Sequence, residues 1–393
     1  MFPVRLRLRR ARIAAAALAA ACVIPAIATA QDPSPVVQPS AGKPVASQLP
    51  GRPRIGLVLA GGGAKGGAHV GVLKVLEELR VPVACIAGTS MGALVGAGYA
   101  SGIPAAELQE FLLGIQWASV VGGLGQRDLE PIEQKRAGVT YSNDFELGLK
   151  DGRVVVPGGL VNTSGIEDLL RSYVARARMQ SSFDRLPIPF RAVATDMVTG
   201  EMVVLDKGDL ATAMRASMAI PGAFAPVITD EYILADGGMV RNIPVDVARN
   251  LCADVVIVVN LVEPPAQRDK LQSATQLMGR SMDVMLQANE TLQLQTLTDR
   301  DVRIDVFMGD IGTADFERVP ETIPLGEAAA RAAADRLASL ALPEQEYLSW
   351  RRQVTASQEI EAHLAGVRYE GLERVNPAYL EQQAQVRAGD TVD

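Results

Sequence analysis

Val83-Ala84-Cys85-Ile86-Ala87-Gly88-Thr89-Ser90-Met91-Gly92 is the stretch that decides the fold. A short apolar run ending in glycine reads as a buried strand, and the small-residue stretch 92–99 after it reads as a helix. Between them, Gly88-Thr89-Ser90-Met91-Gly92 fits G-x-S-x-G, a tight turn that lifts a serine hydroxyl clear of a sheet. Gly88 and Gly92 allow the close backbone approach this needs. A serine placed there has free backbone N–H groups and the positive end of a helix dipole facing an incoming oxyanion. The plainer alternative is a glycine-rich turn with an incidental serine; the strand–turn–helix setting favours a nucleophile.

The same grammar recurs on both sides. Upstream, 54–60 (RIGLVLA) reads as a strand, followed by Gly61-Gly62-Gly63-Ala64-Lys65-Gly66-Gly67 and by a helix over 70–79 with Val72, Val75, Leu76 and Leu79 on one face. Downstream, buried strands are predicted at 190–195, 202–205, 232–234 and 255–260, with helices at 166–177, 210–218 and 244–251. Strands alternating with helices predict an α/β layered fold, a mostly parallel central sheet flanked by helices.

The 393 residues carry a net charge of −7, with 48% hydrophobic and 21% charged residues. That apolar share is too high for a disordered chain, and the acid excess speaks against a nucleic-acid partner. Three Cys cannot build a disulfide scaffold, and two His leave little for a His-built metal site, so no metal or cofactor is expected. The first thirty residues read as a signal peptide. Arg5, Arg7, Arg9, Arg10 and Arg12 precede an Ala-rich apolar stretch and the small-residue site Ala28-Thr29-Ala30. A retained anchor is the alternative, but the apolar stretch is short. Export to the periplasm, outer membrane or medium follows. Residues 31–53 hold repeated prolines and read as a linker.

The glycine loop at 61–67 matches G-x-G-x-x-G, yet a dinucleotide site wants an acid at the tip of the next strand, and here that tip is Ala87-Gly88-Thr89-Ser90. A Walker loop would need Ser or Thr after Lys65. Two glycine turns at adjacent strand ends make better sense as one site: the first supplies N–H donors and the Lys65 charge, the second the nucleophile. For a base, His69 lies just after the loop, and Ser90, an acid and His363 would satisfy a triad order, although no strand of a continuing pattern precedes His363. Asp236 stands at a strand end before Gly237-Gly238; it is either a functional group or a turn residue bonding its own backbone.

GGGAKG, GTSMG and DGG, in that order, resemble the patatin-like phospholipases, as do FRAVATD at 190–196 and ASMAIPG at 216–222. The resemblance covers roughly 54–265. It implies a Ser–Asp dyad that cleaves acyl esters of lipids with no His taking part. Ser90 is then the nucleophile and Asp236 the base, with Gly61, Gly62, Gly63, Lys65 and Gly66 on the oxyanion and substrate side. The family often has Arg where this chain has Lys65. A phospholipid or other lipid ester is the implied substrate, with membrane-surface contact. A small-ester esterase using His363 and a non-catalytic lipid-binding protein are the other readings.

Other features stay open. A long helix over 271–297 carries Leu271, Ala274, Met278, Met282 and Met285 on one face, suited to a lipid-contacting lid or to core. Cys85 and Cys252 either pair in an oxidising compartment or remain buried thiols. The Arg-bearing stretch 171–185 is either a surface for anionic head groups or a solvated face. Residues 266–358 read as a helical extension, with helices at 325–340 and 344–354. Residues 359–393 resemble the start of a POTRA domain, which implies an outer-membrane β-barrel partner or a missing barrel.

Overall fold

Ile55–Leu59 (β1) and Cys85–Thr89 (β2) are buried at every position, which is what continuous apolar runs without alternation require of parallel strands covered on both faces. The computed structural model describes residues 51–117, 148–150, 153–155, 159–161, 164–174, 181–266, 271–356, 362–363, 366 and 391–392. All of them belong to one compact unit, Gly42–Asp393. The remaining strands of the main sheet are Phe190–Asp196 (β3), Met202–Leu205 (β4), Val227–Ile228 (β5), Ile233–Asp236 (β6), Val255–Val262 (β7) and Val302–Phe307 (β8). Their order is β8-β7-β1-β2-β3-β6-β5, with β4 on β3. Pairing is parallel from β8 through β3 and antiparallel beyond, so the fold is mixed α/β with a mostly parallel sheet.

The register at β3 positions the chemistry. β2 pairs with the first half of β3 up to Thr89 opposite Val193, and β6 pairs with the second half, Asp236 opposite Ala194. β4 spans Ala192 to Thr195 and occupies the other edge, so β2 and β6 share one edge and meet end to end. The residue after Thr89 and the last residue of β6 are therefore neighbours by topology.

The helices are Ala68–Glu78 (α1), Met91–Ala100 (α2), Ala105–Gly114 (α3), Ser164–Tyr173 (α4), Leu210–Ser217 (α5), Gly238–Arg241 (α6), Val245–Leu251 (α7), Ala274–Leu294 (α8), Val319–Ala332 (α9), Ala334–Ala338 (α10) and Glu344–Ala356 (α11). α2 packs on β2 and β3, α5 on β3 and β6, and α7 on β1, β2 and β7. α1 and α9 approach backbone to backbone, since a Cβ at Gly71 would run into the Ile323 carbonyl and one at Gly326 into that of Ala68. Among the described residues no helix is long and apolar enough to cross a membrane.

Three expectations change. The segment 266–358 is not only helical: β8 extends the central sheet and α9 packs on α1, so this part completes the layered fold. The helix expected at 325–340 begins at Val319 and breaks at Ala333 into α9 and α10. Pro320 lies in its first turn, where a missing N–H costs nothing, and Pro324 is tolerated inside. On the long helix Met285 is half exposed and so is not core. Cys85 and Cys252 form a disulfide that joins β2 to the end of α7. The signal peptide, the linker up to residue 50, residues 175–180 of the basic stretch and nearly all of 359–393 lie outside the described residues.

Candidate active site

Ser90 has φ 53° and ψ −124°, a backbone conformation rarely adopted by a residue with a side chain. The turn is held open from both sides. The Ser90 N–H donates to Ser217 Oγ at 2.9 Å, and that hydroxyl donates to the Val193 carbonyl at 2.6 Å, tying the elbow to β3. Behind it, Gly92 lies against the Leu59 and Ala60 carbonyls, where any Cβ would collide. The strain is thus over-determined by surrounding contacts, as functional backbone outliers usually are. α2 starts immediately after Ser90, so its first N–H groups and positive dipole end point towards the hydroxyl.

Asp236 comes up from the other half of the same edge. Its N–H donates to Ala219 O at 2.9 Å, and its own carbonyl accepts from Thr195 Oγ1 at 2.8 Å. Carboxyl Oδ1 accepts from the Gly238 N–H at 2.7 Å. Oδ2 is buried and receives no fully formed hydrogen bond from a described residue, yet the Ser90 hydroxyl is near enough to act on the carboxyl. Burial pushes the Asp236 carboxyl up to about 6, against the opposing pull of Ser90 and Gly238. Both residues are under 10% exposed, Ser90 at 5% and Asp236 at 7%. A buried carboxylate with a free lone pair beside a strained serine can accept that serine's proton.

The glycine loop folds as a one-turn helix, Gly63–Gly67, after β1. Its amides divide into two sets. The Gly61 N–H is committed to Asn242 O (3.2 Å), that of Ala64 to Thr313 O (2.9 Å) and that of Lys65 to Gly62 O (3.2 Å). Those of Gly62 and Gly63 have no backbone acceptor among the described residues, and both residues face the cavity at Ser90. Gly61 also lines the cavity, but its N–H is spoken for. Gly66 is placed under the Met91 side chain and does not line the cavity. Lys65 does, buried, with its ammonium paired to Glu263.

His69 takes no part in this arrangement. His69 is fully buried, its Nε2 bonded to Ala60 O at 2.8 Å, and burial lowers its pKa to about 4. His363 pairs in a two-residue strand with Thr391. His69 does not line the cavity.

That cavity measures about 810 Å³. Ser90, Asp236 and the glycine loop form one end; Leu261, Val262 and α8 form the walls, α8 turning Arg280, Asp283, Leu286, Gln287, Glu290 and Leu294 inward. Burial raises the carboxyls of Asp283 and Glu290. Asn242 donates to both Gly61 O and Glu290 Oε1, so it fastens the loop to α8. Asn242 and Glu263 escaped sequence reading because their partners lie 181 and 198 residues away. Among the described residues no cluster of His, Cys, Asp and Glu is arranged to hold a metal ion.

Residues 57–249 match the model of the patatin-like phospholipase family. The match spans both glycine turns and the Asp-Gly-Gly corner. The chain is 36% identical over 209 residues to an uncharacterized NTE family protein of Mycobacterium tuberculosis, covering 53% of this chain and 49% of that one. It is 32% identical over 209 residues to patatin-like phospholipase domain-containing protein 6 of Mus musculus, covering 53% of this chain and 13% of the relative. The chain thus spans about half the length, or less, of the curated relatives it matches. Among solved structures, VipD from Legionella pneumophila superposes over 73% of this chain and 67% of its own, with a TM-score of 0.42 and 17% identity. The family match ends at residue 249 and gives no support to a POTRA-like segment or to a barrel partner.

Proposed function

We propose that this chain is an exported lipid acyl hydrolase that cleaves carboxylic esters of phospholipids through a Ser90–Asp236 dyad. One observation carries the reading: a serine at positive φ faces the buried, incompletely bonded carboxyl of Asp236 at the end of a large cavity. Asp236 takes the Ser90 proton as Oγ attacks the ester carbonyl, and the carbonyl π pair moves onto oxygen. The amides of Gly62 and Gly63, with that of Met91 at the start of α2, hold this oxygen; each such donor is worth ~3 to 4 kcal/mol in the transition state. Collapse expels the alcohol with the proton from Asp236. A water deprotonated by the same carboxylate then releases the acyl group. Lys65, neutralised by Glu263, serves the cavity wall more than the oxyanion.

Export is supported by the basic and Ala-rich N-terminus and by the Cys85–Cys252 disulfide, which needs an oxidising compartment. The test compares wild type with Ser90→Ala on mixed-micelle phospholipid and on short soluble esters. A loss of about six orders of magnitude is expected. Near-wild-type turnover by the purified variant refutes the nucleophile, and activity confined to soluble esters refutes the lipid substrate.

A further inference from the structure

α6 is a single turn of helix with a bond to each part of the dyad site. At its start the Gly238 N–H donates to Asp236 Oδ1 at 2.7 Å. At its end the Arg241 carbonyl accepts from Thr89 Oγ1 at 2.8 Å, on the residue before Ser90. Asn242, which follows, is joined to Gly61 twice: its carbonyl accepts from the Gly61 N–H at 3.2 Å, and its Nδ2 donates to the Gly61 carbonyl at 3.3 Å. Base, nucleophile turn and glycine loop thus all hang on residues 238–242. One turn of helix does not hold its own shape, because it fixes several residues in return for very few hydrogen bonds.

α8, which packs on α6, supplies the missing support. In an unbroken helix the Asn242 N–H would donate to the Gly238 carbonyl, four residues back. Here the Asn289 carboxamide stands between them: its Oδ1 accepts from the Asn242 N–H at 2.9 Å, and its Nδ2 donates to the Gly238 carbonyl at 2.8 Å. A side chain inserted in the ladder spreads the turn, and a carboxamide suits the place because it offers a donor and an acceptor side by side. Asn289 does not itself line the cavity. We propose that Asn289 is a positioning residue for the dyad, an inference that rests on the hydrolase reading: through α6 it sets Asp236, the Ser90 turn and the Gly61 loop relative to one another. Without it, α6 is free to close its own ladder from the Asn242 N–H to the Gly238 carbonyl. That closure draws Asn242, and Gly61 with it, towards the Asp236 corner.

The experiment measures kcat and KM of the full chain on p-nitrophenyl butyrate. Active sites are counted by fluorophosphonate labelling taken to completion, so misfolded protein does not enter kcat. Asn289→Leu should lower kcat per labelled site by about 10²-fold, the cost of a misplacement of ~1 Å, with KM within about twofold. Asn289→Asp keeps the acceptor for the Asn242 N–H and loses the donor to Gly238; it should move kcat in the same direction and covers a leucine variant that fails to fold. Gln293 is the control: one turn further along α8, it is buried, accepts from the Asp246 N–H of α7 at 3.1 Å and does not line the cavity. Gln293→Leu should loosen α8 yet leave kcat per site within about twofold. An unchanged kcat per site in the folded Asn289 variants overturns the assignment, as does an equal loss in Gln293→Leu, which would make the attachment of α8 alone the cause. Those failures leave ester hydrolysis at Ser90 standing. A wild type that neither takes the label nor hydrolyses an ester removes the hydrolase reading and the positioning role together.

Discussion

Asp236→Asn separates activity from stability, because the carboxyl is held in a site that suits a neutral group better than a charged one. Its pKa rises from 3.8 to about 6 on folding, chiefly through burial. Below pH 3.8 the group is protonated in folded and unfolded chains alike, and the site costs nothing. As pH rises, the unfolded chain ionises first, and the folded state is penalised increasingly until the folded group also ionises near pH 6. Above that the penalty is constant at about 3 kcal/mol, at 1.36 kcal/mol per pKa unit. Asparagine keeps the acceptor for the Gly238 N–H and places an amide where Oδ2 faces Ser90, without ever ionising. The stability of Asp236→Asn relative to wild type should therefore increase by about 2.5 kcal/mol between pH 4 and pH 7.5, while ester turnover is lost. The assay is urea unfolding followed by circular dichroism at several pH values, with turnover measured on the same preparations. A stability difference independent of pH, or a variant less stable than wild type at pH 7.5, would refute the buried-carboxylate reasoning.

Three further outcomes follow from the same geometry. Wild-type kcat/KM should rise with pH through about 6 and then level, since only ionised Asp236 can take the proton; a limb absent from the pH 5–7 range would contradict that pKa assignment. His363→Ala should keep activity within about twofold, because the dyad reading gives the base's work to Asp236; a dead but folded variant would bring back the triad reading. Cys252→Ser should lower unfolding stability by about 2 to 4 kcal/mol, as expected for losing a crosslink between residues 167 apart, and equal urea midpoints for the two proteins would contradict it.

What sequence could supply depended on how local each signal is. β1, β2, β3 and β7 are continuous apolar runs with abrupt ends, and each lies within two residues of its expected place. The Ser90 elbow and the Asp236 corner were legible because glycines punctuate strand ends and the five motifs occur in a recognisable order. β8 was not legible: VRIDVF alternates buried with more open positions at the sheet edge and lacks an apolar run. The antiparallel direction of β6, which brings Asp236 to Ser90, is a property of pairing with β3 and leaves no mark in the local sequence. The Gly61 amide looked available for an oxyanion until the fold showed it spent on Asn242 O, and Lys65 looked like a free charge until Glu263 came against it. Such contacts arise only when distant segments meet.

The most direct test of the central claim is active-site labelling with a fluorophosphonate, read by intact mass and peptide mapping. The account predicts one adduct per chain, on the peptide containing Ser90, absent in Ser90→Ala and formed far more slowly in Asp236→Asn. A folded protein that takes no label, or takes it on another serine, would contradict the assignment of Ser90 as the nucleophile.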